Sequence, residues 1–231
     1  TVLPPTTPPR PAFFAKTYLT MKKLLVSLLF ICSFLSLHAQ FRFGIHGGAN
    51  LSNMFVSDVP LAGSFEAKPS LNYNFGITPV FAFGKKWEIS APIQYMTKGF
   101  KGTEHVQGYL QGRERLHYLE IAPHLTFRPN NSIAGFNLGF YTGYLLEHEY
   151  HTMSSGWIKP AEGWYNDLDL GVLGGLKLYL GRLFFQANYQ LGITPARTDQ
   201  FTDVNGDPLF KMKFRNSNVQ LSAGYMLFQK G

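Results

Sequence analysis

Cysteine is nearly missing from this sequence: Cys32 stands alone among 231 residues. Ile31 precedes it and apolar residues follow it, so it is not a lipoprotein site, which needs a small residue just before the cysteine. Past residue 40 there is no thiol, which removes disulfide frameworks and thiol catalysis. Charge is scarce too, at 15%, whereas disorder needs high charge and low hydrophobicity. The excess of Ala, Glu, Lys and Leu expected of a helical bundle is also lacking. Acids are missing from residues 1–40, which hold Arg10, Lys16, Lys22 and Lys23. Those four account for much of the +7 net charge; without them 17 basic residues face 14 acidic ones, a balance of +3. No Lys/Arg cluster dominates the rest, so no nucleic-acid footprint is expected. The hydrolase elbow G-x-S-x-G does not occur.

What is present is glycine (23 residues), aromatics (16%) and short alternating runs, a mixture that points to an all-β protein in one domain. Before it, "MKKLLVSLLFICSFLSLHAQ" (Met21 to Gln40) has a positive start, an apolar stretch from Leu24 to Leu37 and a small residue near its end. It reads as a secretory signal peptide over 21–40. Its apolar run, 14 residues from Leu24 to Leu37, is short of the roughly 20 that a spanning helix needs. Residues 1–20 are Pro- and Thr-rich and read as an over-extended start, which leaves 41–231 as the folded domain.

The stretch "DLDLGVLGGLKLYLGRLFFQANYQLGI" (Asp167 to Ile193) separates into two faces when every second residue is read. Leu168, Leu170, Val172, Leu176 and Leu178 form one; Asp167, Asp169, Gly171, Gly175 and Lys177 form the other. Beyond Gly181-Arg182 the split resumes. Similar runs cover 41–53, 72–83, 87–98, 116–128, 133–146 and 216–228, giving eight strands in all. Short turns at 84–86, 129–132 and 181–182 alternate with long connections at 54–71, 99–115, 147–166 and 194–215. This asymmetry predicts an eight-stranded antiparallel up-and-down transmembrane β-barrel, with short turns on the periplasmic side and long extracellular loops. The apolar face then meets lipid. The polar face lines the lumen, with a network expected among Arg42, Glu88, Lys98, Glu120, His124, Asp169, Lys177 and Gln186, and with His46, Gln94, Asp167 and Gln190 as further inward candidates. Aromatics at strand ends (Trp87, Tyr95, Phe127, Tyr144) suit interfacial girdles, while Tyr179 belongs to the inward set. The competing arrangement is a soluble lipocalin-like barrel with the faces reversed.

Three motifs hint at chemistry. "EHEYH" places His148 and His151 among glutamates, but the spacing is not H-E-x-x-H, and a solvated loop is expected rather than a metal site. "DVNGDP" (Asp203 to Pro208) begins like a calcium loop, but Pro208 stands where glycine is required and no Glu closes it; Asn205-Gly206 reads as a tight turn. Glu88, Glu120, Asp167 and Asp169 have no evident nucleophile to serve, and Ser52, Ser90 and Ser222 no evident His partner. No enzyme activity and no cofactor are expected.

"FGIHGGANLSNM" (Phe43 to Met54), "YLEIAPHLTFR" (Tyr118 to Arg128) and "LGVLGGLKLYLGRLFFQANYQLGIT" (Leu170 to Thr194) resemble the outer-membrane β-barrel domain of the PorT-like group. The resemblance spans about residues 41–228. The sequence departs at Ala122, before Pro123, and ends in "FQKG", with Phe228 the last aromatic. The resemblance implies an integral outer-membrane protein of a Gram-negative cell, in contact with outer-membrane lipid, whose extracellular loops meet secretion or cell-surface proteins. A small-solute pore is the alternative, and the soluble ligand-binding barrel another.

Overall fold

The computed structural model describes residues 39–57, 65–104, 110–129, 132–152, 156–159, 163–202 and 208–229. The 1–20 segment, the signal segment with Cys32 up to residue 38, and the Asn205-Gly206 turn lie outside the described residues.

Gln40–Gly231 is one compact unit built of strands. These are β1 (Ala39–Ser57), β2 (Phe65–Phe83), β3 (Trp87–Ser90), β4 (Ile93–Glu104), β5 (Leu110–Ile121), β6 (His124–Phe127), β7 (Ala134–Thr152), β8 (Gly156–Ile158), β9 (Leu168–Leu180), β10 (Leu183–Gly192), β11 (Arg197–Thr202) and β12 (Pro208–Gln229). They form one 12-stranded sheet in the order β1-β12-β10-β9-β7-β5-β4-β2, and β1 also pairs β2. The path returns to its start, so these strands leave no open edge, and each strand finds hydrogen-bond partners on both sides. β3 and β6 fill the same ladder between β2 and β7; β8 pairs with the end of β7, and β11 pairs with β12.

Two strand breaks have a common cause. β3 gives way to β4 at Ala91-Pro92, and β5 to β6 at Ala122-Pro123. Proline has no N–H to give to a ladder. Its carbonyl still accepts: Ala91 N–H donates to Pro79 O (3.1 Å), Ala122 N–H to Pro92 O (3.0 Å) and Phe140 N–H to Pro123 O (3.1 Å). Three prolines on neighbouring strands thus fall in one row, and the sheet stays joined across it.

On the turn side of the sheet the apolar set faces outward. Phe75 is 54% exposed and Leu138 73%, while their neighbours Asn74 and Asn137 are buried. This is the reverse of the soluble alternative. Tilted aromatic pairs flank the outer face, with Trp87–Phe127 at 4.7 Å and Phe41–Phe81 at 5.1 Å near the short turns, and Tyr73–Tyr95 at 6.1 Å toward the other end. Tyr179 is buried inside.

The long connections need correction. The alternation ends at Asn53, Lys98 and Leu146, yet the ladders run on to Ser57, Glu104 and Thr152. On the return side they begin at Phe65, Leu110 and Pro208, ahead of the expected 72, 116 and 216. Much of what reads as loop is therefore paired strand. The reason is an inversion of polarity. Past the exposed apolar rows, Met54, Phe100, Leu116, Tyr118 and Phe214 point inward and pack with Tyr165 and Ala196 as a buried cluster. Basic and acidic residues such as Arg115 and Glu149 pair on the other face. Burying each large apolar side chain in this cluster is worth about 1.5–3 kcal/mol. The apolar-outward alternation thus stops where polarity inverts, not at the strand end.

Candidate functional site

The interior is a stack of three side-chain layers. At the turn side, Glu88 on β3 accepts from Arg42 Nη1 on β1 (3.1 Å) and from Arg128 Nη1 beyond β6 (2.9 Å). The Tyr179 hydroxyl on β9 donates to its other oxygen. The Arg128 guanidinium lies 4.1 Å over the Tyr179 ring. Lys177 is fully buried nearby, with its ammonium 3.5 Å from Ser90 Oγ and 4.8 Å over the Phe184 ring. Its cross-strand neighbour Gln186 is buried on the same face. His124 donates from Nδ1 to the Ala122 carbonyl (2.9 Å) and stands across the ladder from Ser90.

The middle layer centres on Lys98 of β4. Its ammonium is 2.8 Å from Glu120 Oε2 on β5 and 3.0 Å from Asp169 Oδ2 on β9, and all three side chains are fully buried. Gln94 (2.8 Å) and Gln190 (2.6 Å) donate to Glu120 Oε1. Asn216 (2.8 Å) and the Tyr141 hydroxyl (3.3 Å) donate to Asp169. The Tyr141 ring sits 4.0 Å from the ammonium. Two carboxylates, one ammonium and a shell of donors satisfy a charge group that would otherwise be costly to bury. Gly171 makes room for Tyr141: a β-carbon there would lie 2.4 Å from the ring. His46 joins this layer through Gln94 Oε1 (2.9 Å) and Thr78 Oγ1 (2.8 Å).

The third layer is the apolar cluster, joined on the loop side by Glu114, His148 and Arg197. The Tyr165 hydroxyl donates to Glu114, and His148 Nε2 is 3.2 Å from the same carboxylate. Burial pushes the Tyr165 hydroxyl well above its ordinary pKa, with the Glu114 charge adding to it. Arg197 grips Asp199 with two bonds of 2.7 and 2.6 Å. Burial works against its charge, but the hydrogen bonds to Asp199 prevail and hold it protonated above the usual range. A cleft of about 480 Å3 lies beside this layer, lined by His148, Trp164, Tyr165 and Asp167 among others.

Arg42 and Glu88 thus meet directly, as do Lys98, Glu120 and Asp169, while Lys177, Gln186 and His124 lie on the same buried face without joining either ion group. Asp167 is corrected: it is exposed ahead of β9, and its carbonyl accepts from Leu145 N–H (2.7 Å). The Asp-Leu alternation continues back to Asp167, one residue ahead of β9, so the sequence carries no mark of where the strand begins. His148 and His151 do not come together either. His148 turns to Glu114, whereas His151 pairs across the ladder with Arg113 and stands edge-on to Trp157. Sequence reasoning missed Arg128, Tyr141 and Asn216, although each shares the parity of an inward residue two to four places away: Arg128 with His124, Tyr141 with Asn137, and Asn216 with Asn218. It also missed the approach of His117 to Glu147 and Glu149.

A sheet closed on itself, apolar outside and charged within, is the arrangement of a membrane-spanning β-barrel. The chain belongs to the family described as "Outer membrane protein beta-barrel domain", matched over residues 34–197. It is an outer-membrane protein, and its apolar outer face meets lipid. Among solved structures it is similar to Ail, the attachment invasion locus protein of Yersinia pestis, at 15% identity over 82% of this chain and 99% of that one, with a TM-score of 0.43. It is also similar to OprG from Pseudomonas aeruginosa (16% identity, 82% and 97% covered, TM-score 0.45) and to Neisserial surface protein A (12%, 79% and 96%, TM-score 0.45). No curated protein matches the sequence.

Proposed function

We propose that the protein is an eight-stranded, non-conducting barrel of PorT-like type in a Gram-negative outer membrane. It is a structural platform whose outward hairpins engage a secretion or cell-surface partner, and it is not an enzyme. The eight-strand reading takes β3 with β4, β5 with β6, β8 with β9 and β10 with β11 as single interrupted strands. Each pair shares at least one ladder neighbour. An eight-stranded barrel has an interior just wide enough for side chains to fill.

The observation that carries the reading is the Lys98–Glu120–Asp169 group, fully buried beneath the Phe100–Leu116–Phe214 cluster. A conducting lumen needs a continuous water path, and these two layers oppose one. The platform role is supported by the hairpins, where β7 with β8 and β11 with β12 carry paired backbone beyond the lipid-facing rows. Such rigid extensions hold side chains in place for a partner at little cost in loop entropy.

The test is single-channel recording of the folded chain in planar bilayers. No sustained current is expected. A stable, ion-selective conductance would overturn the proposal and put a small-solute pore in its place. For the platform role, in-cell crosslinking from the β7–β8 hairpin should trap the same partner repeatedly, and trimming that hairpin should abolish the product while the folded barrel persists.

A further inference from the structure

On the outer face of the sheet, where β5 pairs β7, a β-bulge coincides with the end of the apolar rows. Tyr118 stands opposite Leu145 and His117 opposite Glu147, which leaves Leu146 without a partner. Below the bulge the outward residues of β7 are even-numbered, as with Phe140 and exposed Tyr144. Above it they are odd-numbered, and Glu147 and Glu149 come to the face that carries His117. One ligand atom from each of these three residues lies within 4.8 Å of the other two.

We propose that His117, Glu147 and Glu149 form a binding site for a divalent transition-metal ion of the Zn2+ class. His117 is only 6% exposed, and its Nδ1 is held by the Tyr95 hydroxyl. Its buried Nε2 points toward the carboxylates, 3.2 Å from Glu149 Oε2, but makes no hydrogen bond. That is the orientation of a metal-binding imidazole whose other nitrogen is fixed by an outer partner. Around a tetrahedral ion with bonds of 2.0–2.2 Å, ligand atoms stand about 3.4 Å apart. Small rotations of two glutamate side chains close the remaining gap. One imidazole with two carboxylates favours Zn2+, Ni2+ or Co2+ over Mg2+ or Ca2+, which prefer all-oxygen sites.

The present neighbours of the two carboxylates are replaceable. Lys159 pairs with Glu147, but its side chain is 74% exposed, and an exposed ion pair of this kind is worth little. Arg115 reaches Glu149 Oε2 only at 3.4 Å and also lies 4.3 Å from the Trp157 ring. Three protein ligands leave a coordination position open to water or to a donor from a partner.

The test is calorimetric titration of the full chain with ZnCl2, after folding in detergent micelles and stripping with chelator. One Zn2+ per chain is expected, undiminished by a tenfold excess of MgCl2. His117→Ala and Glu149→Gln should each weaken it at least tenfold, and a variant with both His148→Ala and His151→Ala should bind as the parent does. Lys159→Met removes the competing cation and should tighten binding severalfold, which a purely structural role for the cluster would not produce. The proposal is overturned by absence of saturable Zn2+ binding, by full binding in His117→Ala, by displacement with Mg2+, or by weaker binding in Lys159→Met. Should a ligand variant fail to fold, X-ray absorption of Zn2+ on the parent decides: one imidazole with oxygen ligands supports the site, and two or more imidazoles refute it.

Discussion

At the residue scale the interior depends on charges that have no access to water. Lys98 neutralises two carboxylates, and no other cation contacts either of them among the described residues. Replacing Lys98 with Met keeps the volume but strands Glu120 and Asp169. The expected loss is about 3–5 kcal/mol, the usual cost of breaking a buried ion group from one side. Urea unfolding of the vesicle-inserted barrel measures it, and a loss below about 1 kcal/mol would show that the group is hydrated rather than sealed. Much of this group was legible beforehand. Glu120, Lys98 and Asp169 share the inward parity of their runs, and both signs of charge on one face require pairing. That these three meet, rather than Lys177 with any of them, was not legible, because it depends on the stagger between β4, β5 and β9.

At the scale of elements, bulges and prolines decide what period-2 reading can see. Leu146 sits outside the β5 pairing, so the parity of β7 changes there, and the sequence reading of that strand stops at the same residue. Deleting Leu146 removes the extra residue but keeps Leu145 opposite Tyr118 and Glu147 opposite His117. The barrel should still form, with a gel shift like the parent's. Deleting Thr142, which lies in regular register with Ile121 and Leu170, should prevent folding, because a one-residue slip turns an apolar face inward. Equal tolerance of both deletions would refute the assigned bulge. The proline row was visible in sequence only as separate departures, Ala122-Pro123 among them. Its meaning appears when the three strands are laid side by side.

For the whole molecule, the lipid-facing exterior makes the strongest demand. The chain from Met21 to Gly231, expressed with its signal segment, should fractionate with outer membranes and run at a different position unboiled than boiled on a denaturing gel. A soluble periplasmic product without a shift would contradict the outward apolar face. The same band shift serves as the folding control for each variant above.

The sequence by itself determined that the protein is all-β and that its strands face lipid on one side and carry polar groups on the other. Those properties are local, since successive side chains on a strand point to opposite faces whatever the partner strand is. Only the tertiary structure decided how far the strands extend past the membrane, where polarity inverts around Met54, Phe100, Leu116 and Phe214, and which buried charges neutralise one another. It alone set His117 beside Glu147 and Glu149. These depend on register and stagger between strands distant in the chain, and no spacing within a single strand encodes them.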